Sequence, residues 1–220
     1  CLPMFHGFGL VMGILTLMLH GGADSILPKF RSQKVVDLIE KNKCNIIIGV
    51  PAMFEALLKN KNFYGEKLKN IDICFIGGDF IPPSLLQRFN KKLEENGSKA
   101  KVFEGYGLTE TVTVMSVNTF ENNCLGSVGK PINNVKVKIL DDDHNVLNCE
   151  KGEIAISGPT LMNGYLEGES NFIEIDKERY VLSGDIGYLD DEGFLFFVSR
   201  KKRIIKNKGY NIFPLEIEKY

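Results

Sequence analysis

Asn45-Ile46-Ile47-Ile48-Gly49-Val50-Pro51 is the stretch on which the fold turns. Its short β-branched run predicts a buried strand of the kind found in parallel sheets. Pro51 ends the run, and Ala52 to Asn60 then predicts a helix. The pattern repeats downstream. Ile71 to Ile76 predicts a second apolar strand, closed by Gly77-Gly78. Pro83 to Asn96 predicts a helix, because Leu85, Leu86, Phe89 and Leu93 form a 3.6-period stripe between a starting proline and the stop Gly97. Lys101 to Glu104 predicts a third strand. Alternating strands and helices imply a parallel sheet with covering helices.

Beyond residue 120 the pattern changes. Val135, Val137 and Ile139 alternate with Lys136 and Lys138, which predicts a half-buried strand after which Asp141 to Asn145 turns. Glu153 to Ser157 predicts another strand. Ile186 to Leu189 and Phe194 to Val198 flank Asp-Asp-Glu-Gly at 190–193 and predict a hairpin. The expected class is therefore α/β: a parallel-sheet subdomain with covering helices, followed by a smaller antiparallel β-rich, barrel-like subdomain. The expected divisions are 1–122, 123–199 and 200–220, with the first boundary in the Asn-rich stretch near 118–128. At Arg200 the composition shifts again, and residues 200–208 carry six basic side chains in nine.

The chain has 220 residues, 44% of them hydrophobic, enough for a substantial core. Its 27 Lys and Arg balance 28 Asp and Glu, so no global charge draws it to nucleic acid or an anionic membrane. Five cysteines with no CxxC spacing suggest neither a zinc site nor a disulfide framework, and they fit a reducing, cytoplasmic setting. Gly9 to Leu19, the longest apolar run, falls short of the roughly 20 residues of a spanning helix, lacks the basic flank of a signal peptide, and predicts a buried helix. Both ends, at Cys1 and at Glu216 to Tyr220, read as cut or processed.

Four motifs carry chemistry. Glu104-Gly105-Tyr106-Gly107-Leu108-Thr109-Glu110 follows a strand. Its glycines admit backbone to a flat ligand, Tyr106 offers a stacking face, Thr109 a hydroxyl for a phosphate, and Glu110 a carboxylate for Mg²⁺. The same residues also read as a Gly-rich turn with a capping threonine. Ser183-Gly184-Asp185 holds a carboxylate in a tight turn, suited to ribose hydroxyls and equally common in plain hairpins. The basic run from Arg200 suits a charged hinge, a nucleic-acid patch or a small polyanion. His6, among apolar residues, reads alone as a satisfied core histidine.

Taken in order, the motifs are specific. Leu2 to Leu10 (LPMFHGFGL), GGD at 77–79, EGYGLTE at 104–110, GEIAISGPTLMNGYL at 152–166, SGDIGYLDDEGF at 183–194 and SRKKRIIKNKGYNIFPLEIE at 199–218 together resemble the adenylate-forming superfamily, and its acyl-CoA synthetases above all. The resemblance covers nearly the whole chain and implies the carboxyl-side part of that family's large domain. It implies that Gly78, Glu104 and Gly105 border an adenine, with Tyr106 stacked on it. Thr109 is implied at the α-phosphate, Glu110 at Mg²⁺, and Asp185 with Arg200 at the ribose. His6 and Gly107 are implied at the acyl pocket, and Lys202 at a hinge. Lys206 is implied near the adenylate, with Thr109 and Glu110 completing the catalytic set, and Lys29, Lys208 and Gly209 at CoA.

The implied reaction joins a small-molecule carboxylic acid to CoA at the expense of ATP, through an acyl-adenylate. Gly107 stands where acetate-type relatives carry a pocket-shortening Trp, which implies a medium- or long-chain fatty acid or an aryl acid. Loading of a carrier protein is the alternative within the family. A non-catalytic nucleotide- or nucleic-acid-binding module is the alternative outside it. The family's phosphate loop and terminal lysine have no counterpart in these 220 residues, so the chain is expected to be an inactive fragment of an active enzyme.

Overall fold

The computed structural model describes residues 2–168, 171–203, 205–207, 210–212 and 214. The chain divides into two compact units, Cys1–Thr109 and Glu110–Tyr220.

The first unit is built on three parallel strands, β1 (Ile46–Gly49), β2 (Ile73–Ile76) and β3 (Lys101–Gly107). Ile46 pairs with Ile73 and Ile73 with Lys101, in unbroken register to Ile76 and Glu104. After a short helical turn, α1 (Thr16–Leu19), the helices are α2 (Ser32–Asn42), α3 (Pro51–Leu58) and α4 (Pro83–Glu95). The expected α4 stripe is the buried face: Leu85, Leu86, Phe89 and Leu93 all lie inside. Phe54 of α3 meets Phe89 edge-on with centroids 4.8 Å apart. The helix ends in a Schellman pattern, in which the Ser98 N–H bonds Leu93 C=O and the Gly97 N–H bonds Glu94 C=O. Side chains alternate along β2, so Cys74 and Ile76 join the helix-covered core. Burial pushes the Cys74 thiol far up, which leaves it an inert packing group.

Two expectations need correction here. Residues 9–19 are helical, but the helix is largely uncovered. It runs as a π-helix, Phe8–Leu15, into α1; only Gly9 is buried in the π-helix and no residue in α1, while Met18 and Leu19 are exposed. The Thr16 N–H and its hydroxyl both bond to Val11 C=O, the wide i to i−5 spacing of a π turn. The third strand runs on to Gly107, so the two glycines around Tyr106 lie in extended backbone and not in a turn.

The second unit opens with the antiparallel pair β4 (Val114–Val117) and β5 (Lys130–Pro131). A larger antiparallel sheet follows, built from β6 (Lys136–Leu140), β7 (Val146–Leu147), β8 (Gly152–Ser157), β9 (Phe172–Ile175), β10 (Glu178–Leu189) and β11 (Leu195–Arg200). Its order is β11-β10-β8-β6-β7, with β9 also on β10. Strand β8 is central, and all six of its residues are buried. The expected hairpin is present as β10–β11: Asp190 Oδ1 accepts the Glu192 and Phe194 N–H groups and closes the 190–193 turn. Strand β10 begins eight residues earlier than expected, at Glu178. Asp185 therefore lies within a strand and not in a loop. A short hairpin, β12 (Ile205–Asn207) with β13 (Tyr210–Ile212), follows the turn Lys201–Arg203. The loop near 118–128 lies inside this unit, between β4 and β5, braced by Asn118, which donates to Ser127 C=O and accepts from the Cys124 N–H.

Candidate functional site

In open parallel sheets, ligands bind beyond the carboxyl ends of the strands. The first unit gathers its candidate residues there. Gly77 and Gly78 leave β2, and Glu104, Gly105, Tyr106 and Gly107 end β3, with Ile76 paired to Glu104. A Cβ on Gly77 would lie 2.9 Å from Gly105 C=O, so only glycine lets the two segments approach this closely. Gly78 has φ +83° and is exposed, presenting its backbone. Glu104 is buried, Tyr106 is half-buried, and Gly107 and Thr109 are exposed. Val50, at the end of β1, and Phe8 also approach the glycine pair, which their sequence context gave no reason to expect.

His6 is not a core residue: it is exposed, and its Nδ1 accepts the Phe8 N–H at 3.2 Å. It thereby leads the chain into the π-helix. Lys29 is exposed in the loop before α2.

The second unit positions Glu110 and Asp185. Glu110 Oε1 accepts the Tyr165 hydroxyl at 2.7 Å, and its backbone C=O accepts the Met162 N–H at 2.9 Å. The hydrogen bond to Glu110 holds the Tyr165 phenol above its ordinary pKa. Residues 158–166 are thus tied to Glu110 from 55 positions away. Among the described residues no cluster of three or more His, Cys, Asp or Glu could hold a metal ion. One carboxylate completed by substrate phosphates is nevertheless a normal Mg²⁺ arrangement, and Glu110 fits it.

Asp185 is completely buried, and Arg200 stands directly opposite it across the β10–β11 ladder. Arg200 Nη1 lies 3.0 Å from Asp185 Oδ1, while the arginine side chain stays 56% exposed. A buried carboxylate is costly unless paired, and Arg200 is one cation that offsets that cost for Asp185. The strand is irregular at this point. Leu182 pairs with Ala155 and Ile186 with Glu153, so residues 183–185 bulge opposite Ile154 alone. Gly184 takes φ +69° in the bulge, and Ser183 Oγ accepts the Asp185 N–H at 3.0 Å. Bulges of this kind re-aim side chains and concentrate beside active sites.

Sequence reasoning missed Glu153. It is buried on β8; its Oε1 accepts the Gly184 N–H at 3.1 Å and its Oε2 accepts Lys201 Nζ at 2.6 Å. The hydrogen bond from Lys201 to Glu153 raises the Lys201 pKa. Lys202 is exposed in the turn after Arg200. Lys206 lies in β12, opposite Asn211 of β13. Lys208 and Gly209 lie outside the described residues.

The long-chain-fatty-acid–CoA ligase of Bacillus subtilis is 32% identical over 98% of this chain and 38% of its own length. The corresponding ligase of Salmonella typhimurium is 34% identical over 99% of this chain and 38% of its own. ATP-bound MatB from Rhodopseudomonas palustris matches with a TM-score of 0.88 and 25% identity, over 99% of this chain and 42% of that one. O-succinylbenzoate coenzyme A synthetase from Bacillus subtilis, in complex with ATP and magnesium ion, matches with a TM-score of 0.82 and 32% identity, over 99% and 44%. The chain thus spans about two fifths of the length of the relatives it matches. The family model for AMP-binding enzymes matches residues 1–166, and the chain belongs to that family.

Proposed function

We propose that this chain is part of an ATP-dependent acyl-CoA synthetase acting on a medium- or long-chain fatty acid or a related carboxylate. The buried Asp185, paired to Arg200, is the observation that carries the reading. A carboxylate beside a partly exposed arginine suits two vicinal ribose hydroxyls, which need acceptors. Glycine-lined backbone at the ends of β2 and β3, with Tyr106 beside it, suits a flat base. Similarity to fatty-acid and aryl-acid CoA ligases over nearly the whole chain supports the same reaction class.

In the proposed reaction a carboxylate oxygen attacks the α-phosphorus of ATP, the bond to pyrophosphate breaks, and acyl-adenylate forms. The thiol sulfur of CoA then attacks the acyl carbon and AMP leaves. Thr109 donates to an α-phosphate oxygen, and Glu110, fixed by Tyr165, offers a carboxylate to Mg²⁺, which when bound offsets phosphate charge. Lys206 serves near the adenylate, and Lys202 serves as the hinge between two conformations. His6 and Gly107 border the acyl chain, and Lys29, Lys208 and Gly209 belong to the CoA path.

Acyl-CoA formation by the whole native protein, measured over acids from acetate to long-chain fatty acids with free CoA and with a phosphopantetheine carrier protein as alternative acceptors, tests the proposal. Thioester formation on CoA with longer acids supports it. Transfer to the carrier alone assigns the chain to the carrier-loading branch. Salt-steep binding to DNA or RNA without any thioester would replace the reading with a nucleic-acid module.

A further inference from the structure

The bulge in β10 leaves a specific physical problem. Residues 183–185 bulge opposite a single residue of β8, so the Gly184 N–H loses its place in the ladder. A buried N–H without an acceptor costs about 1–3 kcal/mol. Glu153 supplies the acceptor at 3.1 Å from the neighbouring strand. That carboxylate is itself buried, and its second oxygen is neutralised by Lys201 at 2.6 Å. Lys201 also reaches Asp142 Oδ1 at 3.5 Å. Lys201 directly follows Arg200, the cross-strand partner of Asp185. One side chain therefore touches the segment just before Asp185 and the segment just after Arg200.

We infer that Glu153 is a positioning residue for ribose recognition, acting through the Gly184 bulge and Lys201 to hold Asp185 and Arg200 in register. The inference rests on the reading of Asp185 as the ribose carboxylate. Glutamine at 153 keeps an acceptor for Gly184 but turns a donor toward the Lys201 ammonium, so the brace opens on that side. Methionine at 201 leaves a buried carboxylate without its cation. In both variants the bulge relaxes and the ribose contacts weaken, while the adenine-facing backbone of the first unit is untouched.

The test compares Mg²⁺-ATP with Mg²⁺-2′,3′-dideoxy-ATP by calorimetry in the whole native protein and in its Glu153→Gln, Lys201→Met and Lys201→Arg variants. Glu153→Gln is expected to weaken ATP about tenfold, the lower end of what outer supporting partners cost at metal sites. The dideoxy nucleotide should hold its affinity, so the preference for ribose hydroxyls collapses. Lys201→Met should move the same way, and Lys201→Arg should keep the preference. Should Glu153→Gln fail to fold, Lys201→Met carries the test alone. Equal weakening of both nucleotides, or an unchanged preference in the folded variants, overturns the role of Glu153. A native protein with no ribose preference overturns the Asp185 assignment itself, and the brace with it.

Discussion

Arg200 Nη1 sits 3.0 Å from Asp185 Oδ1 across the β10–β11 ladder, with the carboxylate buried and the guanidinium more than half exposed. The pair is asymmetric by design of the strands. The bulge at 183–185 turns Asp185 inward, and Arg200 is the last residue of β11, so its side chain can reach back and still face solvent.

Asp185→Ala is therefore expected to separate binding from folding. The alanine removes the proposed ribose acceptor, and loss of a charge-assisted hydrogen bond costs about 1.5–3 kcal/mol, or tens of fold in affinity. Titration of ATP into the variant should show that loss, with the thermal midpoint changed little because the cation left behind, Arg200, is more than half exposed and stays hydrated.

Gly77→Ala tests the close approach at the strand ends. Its Cβ would lie 2.9 Å from Gly105 C=O, inside contact distance, so the end of β2 or β3 must move. Nucleotide affinity should drop, with a stability loss of about 1–3 kcal/mol from the strain of overpacking.

Gly107→Trp tests the acyl-pocket assignment. Gly107 is exposed at the end of β3, so the large ring can be added without invading the core. In the whole native protein, kcat/KM over an acid series should shift toward short acids. An unaltered chain-length profile would remove Gly107 from the pocket.

Phe89→Ala tests the core of the first unit. Phe89 is fully buried against Phe54 and Phe63, and its removal should cost about 3–5 kcal/mol by denaturant unfolding.

The pH dependence has a defined sign. Arg88, by hydrogen bond and charge, holds the Glu55 carboxyl below its ordinary value. The unfolded chain then binds the proton more tightly than the folded one. The stabilisation is present above an unfolded pKa of about 4.3 and is lost as pH falls through the lower folded value. Because the pair is largely solvated, its contribution is small and screened by salt. Arg88→Met should flatten the stability curve below pH ~4.5 and leave it unchanged in slope near neutrality.

Legibility in the sequence follows the range of the interactions involved. The α4 stripe and the apolar strands are local periodicities, so Leu85, Leu86, Phe89, Leu93 and Cys74 are readable as core. The β10–β11 hairpin is readable because Asp190 caps its own turn. Helix α2 is equally local in its pattern: Val35, Val36, Leu38 and Ile39 recur at helical spacing, and Val36 and Ile39 are buried, although no helix is assigned there from the sequence above. The π-helix escaped because an all-apolar run gives no face by which to read its pitch. The site is readable only as motifs. The Tyr165 hydroxyl on Glu110 and the two-sided grip of Glu153 join residues 55, 31 and 48 positions apart. The bulge whose Gly184 N–H bonds Glu153 has no compositional signature beyond Gly184.

These residues, we propose, belong to an enzyme that adenylates a carboxylic acid. Carboxylate-dependent ATP–pyrophosphate exchange by the whole native protein, run across a panel of acids with Mg²⁺, tests it most directly. Exchange is expected to require an added acid, to be strongest with medium- or long-chain or aryl acids, and to drop sharply in Asp185→Ala. Exchange absent with every acid, in a protein shown to be folded and to bind ATP, would contradict it.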